Sequence, residues 1–248
     1  ALATPLVAGL RRWDVRTSTP DRVHRVIGIS RTVSDRIARH WGRRADVIHP
    51  PVDVERFAAR DRQAEDFYLV VGGFVPYKRE GLAITAFREL GLPLRVAGDG
   101  PGRAALEAAA PPNIEFLGRV SDDALGDLYA RCRALVYPQE EDFGIIPVEA
   151  QAAGAPVVAF GRGGILDTVV PLGVEDGEAP TGLFFEDPTP ESLAEAVRRF
   201  ENERDAFEPA AIRAHAARFD VARYRAEMRA AIDETLAHGP RGWEERAQ

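Results

Sequence analysis

Short, continuous apolar runs recur through the middle of this chain, and patterns typical of amphipathic helices separate them. The apolar runs predict strands at 67–71, 94–97, 114–117, 134–137, 156–160 and 182–185. The intervening patterns predict helices at 80–90, 102–110, 122–131, 147–153 and 165–170. Strands that are apolar throughout and alternate with helices are typical of a parallel sheet covered on both faces. The pattern therefore predicts an α/β fold with a doubly wound, Rossmann-like parallel sheet.

The amino-terminal flank predicts a smaller piece of similar structure. Residues 22–30 predict a strand that leads into a helix reaching Trp41 and capped by Ser30 or Thr32. Residues 46–49 predict a second, short strand, which two consecutive prolines end. This flank is therefore expected to contribute strands and a helix of its own.

The remaining segments predict a linker and a helical tail. Residues 53–66 are polar and irregular, which predicts a linker and a domain boundary near residue 52. Helical patterns follow at 190–201, 209–218 and 221–238, and Gly239 with Pro240 predicts the end of the last helix. That helix carries apolar residues at a spacing of four, which predicts a face turned to the core: Tyr224, Met228, Ile232 and Leu236.

Composition restricts the classes of function. The chain of 248 residues has a formal net charge of −7, so bulk electrostatics does not attract nucleic acid or an anionic membrane surface. It lacks an apolar run of the roughly 18 residues needed to span a membrane, and residues 1–12 lack the basic leader of a signal peptide. Because the chain does not start with Met, we expect it to begin inside a longer protein. The single cysteine, Cys132, fits a reducing compartment and a buried apolar position.

Glycine-rich and polar segments follow the predicted strands at their carboxyl ends. They are Gly72–Gly73, Gly98–Gly100, Gly118–Val120, 138–146 and Gly161–Gly164, the last with Asp167 close behind. In an open parallel sheet, ligands bind beyond the carboxyl ends of the strands. The shared location of these segments predicts a single ligand site at this edge of the sheet.

The segment 138–159 is the most informative of these. Glu141 and Glu149 are eight positions apart, and Phe143 and Gly144 lie between them, ahead of a helix predicted to carry Pro147 and Glu149 in its first turn. Free backbone N–H groups at such a helix start bind phosphates, and carboxylates accept hydrogen bonds from hydroxyls. The order predicts a ligand that carries both phosphates and a sugar diol.

Lys78 is a further candidate for phosphate binding. Of the 32 basic residues, 31 are arginine and Lys78 is the remaining one, in the segment after the first predicted strand of the sheet. Chance within an arginine-rich coding bias is one explanation, and a need for a compact ammonium group at a phosphate site is the other. The five histidines lack the spacing of metal ligands, so no metal site is expected.

These motifs resemble one family. Glu141 and Glu149 match the E-x7-E signature of retaining glycosyltransferases with the two-domain GT-B fold, and the sequence EDFGIIPVEAQAAGAPVVAFGRGG resembles family 4. The resemblance extends over nearly the whole chain, through HPPVDVERF, FYLVVGGFVPYKR, VAGDGPGRAALE and TGLFFEDPTPESLAEAV. Within the family, the chain is most similar to bacterial mannosyltransferases that build O-antigen and exopolysaccharide.

The resemblance implies roles for individual residues. Glu141 would contact the donor sugar, Lys78 would neutralise the diphosphate, and Glu149 would bind the ribose hydroxyls. Main-chain groups would contact sugar and phosphate at Phe143, Gly144 and Ile145, and the base at Arg119 and Val120. The remaining candidates for donor binding are Gly72, Gly73, Arg79, Gly98 and Gly100.

One position departs from the family pattern. The family usually has an arginine five residues before the lysine, and this chain has Gly73 there. Because that arginine shares the charge of the leaving diphosphate, Gly73 puts activity in doubt, and Arg79 is the nearest substitute. Two alternatives therefore stay open: a non-catalytic nucleotide-sugar binder, and a nucleotide-sugar epimerase or glycogen-synthase-like enzyme on the same fold.

The resemblance also implies an organisation and a setting. Residues 1–52 would be the end of an acceptor-binding domain, 53–202 the donor-binding domain, and 203–248 helices of which the last crosses back to the first domain. Transfer would need no metal or other cofactor, with GDP-mannose as the expected donor and a glycan or polyprenyl-linked saccharide as acceptor. The expected location is the cytoplasm at the inner face of a bacterial membrane, which the missing amino-terminal half would contact. This chain alone is expected to be inactive.

Overall fold

The computed structural model describes residues 3–174 and 177–242, which form two compact units. One unit is the segment up to Pro50 together with the chain from Ala222 onward, and the other is Pro51–Val221. The domain limits predicted above remain a prediction, and their outermost residues at both termini lie outside the described ranges.

The first unit consists of helices around one pair of short strands. Its elements are α1 (Ala3–Thr17), β1 (Ile27–Gly28), α2 (Arg31–Trp41), β2 (Asp46–Val47) and, after the second unit, α11 (Val221–Gly242). The strands β1 and β2 are parallel. Ser30 caps α2 by accepting a hydrogen bond from the Val33 N–H at 3.2 Å, which confirms one of the two predicted caps.

The predicted strand over 22–30 is wrong except for the two residues of β1. The side chain of Arg43 accounts for the difference, because it donates hydrogen bonds to the carbonyl groups of Ser18, Val23 and His24 at 2.7–3.2 Å. These carbonyl oxygens are therefore satisfied without a neighbouring strand.

The last helix also differs from its prediction in two respects. It continues through Gly239 and Pro240 to Gly242, so the predicted end at these two residues is wrong. The predicted core-facing stripe is not buried: Ile232 is 53% and Leu236 is 78% exposed. The helix meets its own unit through Ala231 instead, which is buried and whose carbonyl oxygen accepts a hydrogen bond from Arg25.

The second unit contains a parallel sheet of six strands in the order β5-β4-β3-β6-β7-β8. The strands are β3 (Tyr68–Gly72), β4 (Leu94–Gly98), β5 (Ile114–Gly118), β6 (Leu135–Tyr137), β7 (Val157–Phe160) and β8 (Gly182–Phe185). The helices are α3 (Val54–Ala58), α4 (Glu80–Leu90), α5 (Arg103–Ala108), α6 (Asp122–Arg131), α7 (Ile145–Ala152), α8 (Ile165–Thr168), α9 (Pro190–Asn202) and α10 (Pro209–Ala216). The predicted α/β class with a doubly wound parallel sheet is confirmed.

The two faces of this sheet bury separate apolar cores. Leu69, Leu135 and Val157 lie in one core, with residues of α3, α6 and α7, while Val70, Val136 and Val158 lie in the other, with residues of α4 and α9. Successive residues of a strand point to opposite faces, so a central strand covered on both faces is apolar at every position. This is why the strands appear in the sequence as continuous apolar runs.

The predicted linker over 53–66 contains a short helix, α3. Asp53 caps it by accepting a hydrogen bond from the Arg56 N–H at 3.3 Å, and Val54 and Phe57 are buried in the core. A helix of barely more than one turn shows too few apolar positions to establish a period, so the sequence pattern alone does not predict it.

Candidate functional site

The strand order reverses between β3 and β6, and parallel sheets form a ligand-binding crevice at the carboxyl ends of the strands beside such a reversal. Strands β3, β4 and β5 progress toward one edge of the sheet, whereas β6, β7 and β8 progress toward the other, so the direction reverses where β3 pairs with β6. Open parallel sheets bind ligands at the carboxyl ends of the strands beside such a reversal. The segments 73–79 and 138–144 follow β3 and β6 at this point.

Lys78 and Glu141 meet across this crevice. The Lys78 Nζ donates a hydrogen bond to Glu141 Oε1, and the two side chains are 17% and 24% exposed. An ammonium group carries three N–H donors, so the contact with Glu141 leaves others for a ligand. The structure thus brings together the two residues predicted to be catalytic.

Tyr137 adds a second partner for Glu141. Its hydroxyl, at the end of β6, donates a hydrogen bond to Glu141 Oε2. Burial, and then the bond to Glu141, raises the pKa of Tyr137 far above its ordinary value, so the hydroxyl stays protonated and remains a donor. Both oxygens of Glu141 are therefore held, one by each neighbour.

The glycines of the segment after β7 support the backbone of Glu141. The Gly164 N–H donates to the Glu141 carbonyl oxygen at 2.7 Å. A Cβ at Gly163 would lie 2.4 Å from the same oxygen, and Gly163 has a φ of +82°. These glycines serve a close approach between two backbone segments, which is a more specific role than loop flexibility.

The helix α7 begins beside Glu141, and it begins earlier than predicted. Gly144 is the capping residue, with a φ of +91°, and Ile145 is the first helical residue. Pro147 is therefore the third residue of the helix, where its missing N–H removes one of the free donors. The N–H groups of Ile145 and Ile146 remain, and Ile145 is 46% exposed.

The side chain of Phe143 is part of the core beside this helix start. Its ring is buried and packs edge-to-face against Phe219, with 5.7 Å between the ring centroids. The side chain thereby anchors the helix start to the core. A contact of the Phe143 main chain with a ligand remains a prediction.

Glu149 lies in the second turn of α7, and its predicted place in the first turn is wrong because the helix begins at Ile145. Its Oε2 accepts a hydrogen bond from the hydroxyl of Tyr129 in α6 at 3.0 Å. Burial raises the pKa of Glu149, and the bond from Tyr129 opposes that rise. The carboxylate is half-buried and held by a hydrogen bond, not placed as a partner of the helix dipole.

Gly72, Gly98 and Gly100 are explained by packing. A Cβ at Gly98 would lie 1.9 Å from the Gly72 carbonyl oxygen, and a Cβ at Gly100 would lie 1.9 Å from the Gly73 carbonyl oxygen. A Cβ at Gly72 would lie 2.2 Å from Glu80 Oε1. The segment after β4 thus rests directly on the segment after β3. A direct contact of these glycines with donor remains a prediction.

Gly73 differs from these glycines. A Cβ at this position would meet no atom within 4 Å, and its φ is outside the left-handed range. The backbone at Gly73 is therefore open to a larger residue. The absence of the usual arginine has no steric cause in the backbone.

Arg79 approaches the crevice from the start of α4. Its Nη1 lies 3.4 Å from the carbonyl oxygen of Pro138, which follows β6, and its guanidinium carbon lies 4.8 Å from the centre of the Phe160 ring. The charge of Arg79 therefore reaches the side of the crevice that carries Glu141. Arg79 itself has a φ of +55°.

Arg119 and Val120 lie farther from the crevice. They follow β5, which β4 separates from β3, so they are two strand spacings, about 10 Å, from β3. Arg119 is exposed, and Val120 packs against the core. The structure does not bring them into contact with Lys78 or Glu141, and their contact with a base remains a prediction.

Glu80 is a residue of this region that the sequence alone did not indicate. It is 3% exposed, and its Oε1 accepts a hydrogen bond from the Phe74 N–H at 2.8 Å. Phe74 has a φ of +48°, so the buried carboxylate holds a strained turn between β3 and Lys78. A glutamate at the start of a helix is typical of a favourable interaction with the helix dipole, so the sequence alone does not predict this role.

Tyr129 and Tyr137 were also missed as parts of the site. Tyr137 ends an apolar run and Tyr129 lies in the helical pattern over 122–131; both are buried, so their sequence context indicates core residues. In the described ranges, no group of three or more His, Cys, Asp or Glu could hold a metal ion. That the reaction needs no metal remains a prediction.

None of the helices described is both long and apolar enough to cross a bilayer.

Comparison with known proteins assigns the family. The model of the family described as "Glycosyl transferases group 1" matches residues 52–218, which is more than half of the chain. The chain belongs to this family.

Two curated relatives are similar in sequence over most of the chain. An uncharacterized glycosyltransferase of Methanocaldococcus jannaschii is 30% identical over 186 residues, which cover 73% of this chain and 50% of that protein. A D-inositol 3-phosphate glycosyltransferase of Rhodococcus opacus is 30% identical over 210 residues, covering 72% of this chain and 46% of that protein. The chain thus spans about half the length of these relatives.

Solved structures share the fold. The structure of Anabaena HepE in complex with UDP superposes with a TM-score of 0.73 at 20% identity, covering 90% of this chain and 67% of that chain. Sucrose-phosphate synthase from Thermosynechococcus elongatus superposes with a TM-score of 0.70 at 22% identity, covering 86% of this chain and 59% of that chain. The fold is that of GT-B glycosyltransferases.

Proposed function

We propose that this chain is the donor-binding part of a retaining, metal-independent glycosyltransferase that uses a nucleotide-diphosphate sugar. The observation that carries the proposal is the contact between Lys78 and Glu141 across the crevice between β3 and β6. The diphosphate would lie against Lys78 and the N–H groups at the start of α7, where the helix dipole favours negative charge. Membership in the glycosyl transferases group 1 supports this chemistry.

The proposed reaction exchanges one bond at the anomeric carbon. The C–O bond to the diphosphate breaks, and a new C–O bond forms to the acceptor oxygen on the same face of the sugar. The proton of the acceptor hydroxyl passes to the departing diphosphate, so no side-chain base is required. Lys78 and the helix start would stabilise the negative charge that develops on the leaving group, and Glu141 would orient the donor sugar.

The identity of the donor is a finer part of the proposal. GDP-mannose is the donor that the similarity to family 4 mannosyltransferases favours. A UDP-sugar is the competing donor, because related structures have been solved with UDP and with UDP-glucose. The proposed acceptor is a glycan or polyprenyl-linked saccharide at the inner face of the membrane, and a relative named for inositol 3-phosphate makes a phosphorylated polyol the competing acceptor.

A second candidate function is non-catalytic binding of a nucleotide-sugar. Gly73 favours it, since this position lacks the second cation for the diphosphate. An epimerase or a glycogen-synthase-like enzyme would use the same donor. Product analysis separates these possibilities when it is made on this chain joined to the amino-terminal half that it is expected to lack. A glycoside supports transfer, a free sugar epimer supports epimerisation, and no product despite tight donor binding supports the binder.

The first test is a titration of this chain with GDP, GDP-mannose, UDP and UDP-glucose. We expect one nucleotide series to bind, and Lys78→Ala and Glu149→Ala each to weaken it by at least about tenfold, as for loss of a bond to a charged group. Arg95→Ala is the matched control, because it removes a cation whose partner, Glu115, lies on the neighbouring strand away from the crevice. If neither Lys78→Ala nor Glu149→Ala weakens binding more than Arg95→Ala does, the site is wrongly assigned.

A further inference from the structure

Glu149 presents its two carboxylate oxygens to different surroundings. Oε2 accepts the hydrogen bond from Tyr129 at 3.0 Å. Oε1 has no hydrogen-bond partner in the part of the chain that the structure describes. It is accessible to solvent there, because it is not one of the buried polar atoms that lack a partner. One oxygen is thus fixed, and the other is available to a ligand.

Tyr129 is held in place by the packing of its ring and by a hydrogen bond to its backbone. It is fully buried, and its ring packs edge-to-face against Phe57 of α3, with 5.6 Å between the ring centroids. Its carbonyl oxygen accepts a hydrogen bond from Arg62 at 3.1 Å, so the backbone of the same residue is also fixed. A rigid donor of this kind restricts the rotation of the glutamate side chain before any ligand binds.

We infer that Tyr129 is a positioning residue for the donor nucleotide: its hydroxyl fixes Oε2 of Glu149 so that Oε1 faces the ribose hydroxyls. The inference rests on the proposed function, in which Glu149 binds the ribose. Tyr129 itself touches no ligand in this scheme. It acts by removing the entropy cost of ordering Glu149 upon binding.

The electrostatics of the pair supports this role. Burial raises the pKa of Glu149 and so favours its protonated form. A protonated carboxyl group would donate a hydrogen bond where a ribose hydroxyl needs an acceptor. The hydrogen bond from Tyr129 stabilises the ionised form and lowers that pKa again, while Asp122 raises it and Arg56 lowers it. Burial raises the pKa of Tyr129 well above its ordinary value, so the phenol keeps the proton it donates.

The chain offers a matched control for the loss of such a hydroxyl. Tyr68 is also fully buried, and its hydroxyl also donates to a glutamate, Glu201. Tyr68 is the first residue of β3, at the amino end of the sheet and away from the crevice. Tyr129→Phe and Tyr68→Phe therefore remove the same chemical group, a hydroxyl of a buried tyrosine that donates to a glutamate.

The experiment measures how strongly each variant distinguishes a ribonucleotide from its 2′-deoxy form. Affinities for UDP, 2′-deoxy-UDP, GDP and 2′-deoxy-GDP are measured by calorimetry for the unchanged chain, Tyr129→Phe, Tyr68→Phe and Glu149→Ala. We expect Tyr129→Phe to weaken binding of the ribonucleotide by about fivefold, the size typical of one hydrogen bond, with little effect on the 2′-deoxy form. As the pH is lowered, we also expect the ribonucleotide affinity of Tyr129→Phe to begin to fall at a higher pH than that of the unchanged chain. The reason is that Glu149 has a higher pKa without the hydrogen bond from Tyr129.

The outcomes separate this inference from the proposed function. If Glu149→Ala abolishes the preference for the ribonucleotide but Tyr129→Phe preserves it, Tyr129 has no positioning role and the proposed function stands. If Tyr68→Phe reduces the preference as much as Tyr129→Phe does, the effect is one of general stability and the inference fails. If no nucleotide binds, or Glu149→Ala leaves the preference intact, the assignment of Glu149 to the ribose fails and the inference with it.

Discussion

The ammonium group of Lys78 contacts the carboxylate of Glu141, although the two residues lie 63 positions apart, after the neighbouring strands β3 and β6. Glu141 neutralises the cation that the diphosphate would use in the proposed function. Binding of a donor therefore replaces or shares an existing ion pair. The two residues are energetically coupled through this contact.

This coupling predicts unequal effects of Glu141→Gln on two kinds of ligand. The substitution leaves Lys78 without its anionic partner, so a nucleoside diphosphate is expected to bind more tightly. The affinity for the nucleotide-sugar with the same base is expected to increase less, because Glu141 would no longer orient the sugar. Competition titrations with the diphosphate and the nucleotide-sugar measure both effects. Equal changes for both ligands would contradict a role of Glu141 toward the sugar.

The raised pKa of Glu149 predicts an acid limit for nucleotide binding. Because burial raises this pKa, Glu149 accepts a proton at a higher pH than an exposed glutamate does. The pKa of an exposed glutamate is about 4.3. Ribonucleotide affinity is therefore expected to be constant near neutral pH. As the pH is lowered, the affinity is expected to begin to fall at a pH above the pKa range of ordinary glutamates. The same titration of Glu149→Gln is the control, and an unchanged acid decline in that variant would exclude Glu149 as its cause.

The open backbone at Gly73 predicts that an arginine can be introduced there. A Cβ at this position meets no atom within 4 Å, and the φ is not left-handed. Gly73→Arg is expected to leave stability unchanged and to tighten nucleoside diphosphate binding on the order of tenfold by adding a charged donor. Gly73→Gln adds a long side chain without charge and is the control. Equal affinities of the two variants would show that the added cation does not reach the diphosphate.

Gly100 is expected to respond in the opposite way. A Cβ there would lie 1.9 Å from the Gly73 carbonyl oxygen. Gly100→Ala is therefore expected to lower the free energy of unfolding by about 3 kcal/mol through overpacking. Gly73→Ala, on the other side of the same contact, is expected to change it by less than about 0.5 kcal/mol. Urea unfolding of both variants measures the difference, and similar midpoints would show that the two segments do not pack this closely.

The errors of prediction have a common origin in very local structure. Residues 53–66 contain α3, whose five residues are too few to show a helical period. The helix α7 begins at Ile145, before the proline that suggested its start, because Gly144 supplies the left-handed backbone that caps it. Helix ends depend on single residues and on what packs against them, so a pattern averaged along the chain places them poorly.

The sequence by itself determined the α/β class, the strands of the parallel sheet and the edge at which a ligand would bind. A strand buried on both faces must be apolar throughout, and the segments at its carboxyl end are punctuated by glycine and polar residues. Composition singled out Lys78, and the segment ahead of a predicted helix start singled out Glu141 and Glu149. Only the tertiary structure decided which of them touch. The contact of Lys78 with Glu141, the hydrogen bond from Tyr129 to Glu149 and the packing of Gly100 on Gly73 all depend on the order of strands and helices in space. The residues of each pair lie on separate elements, and no periodicity along the chain encodes how those elements pack together.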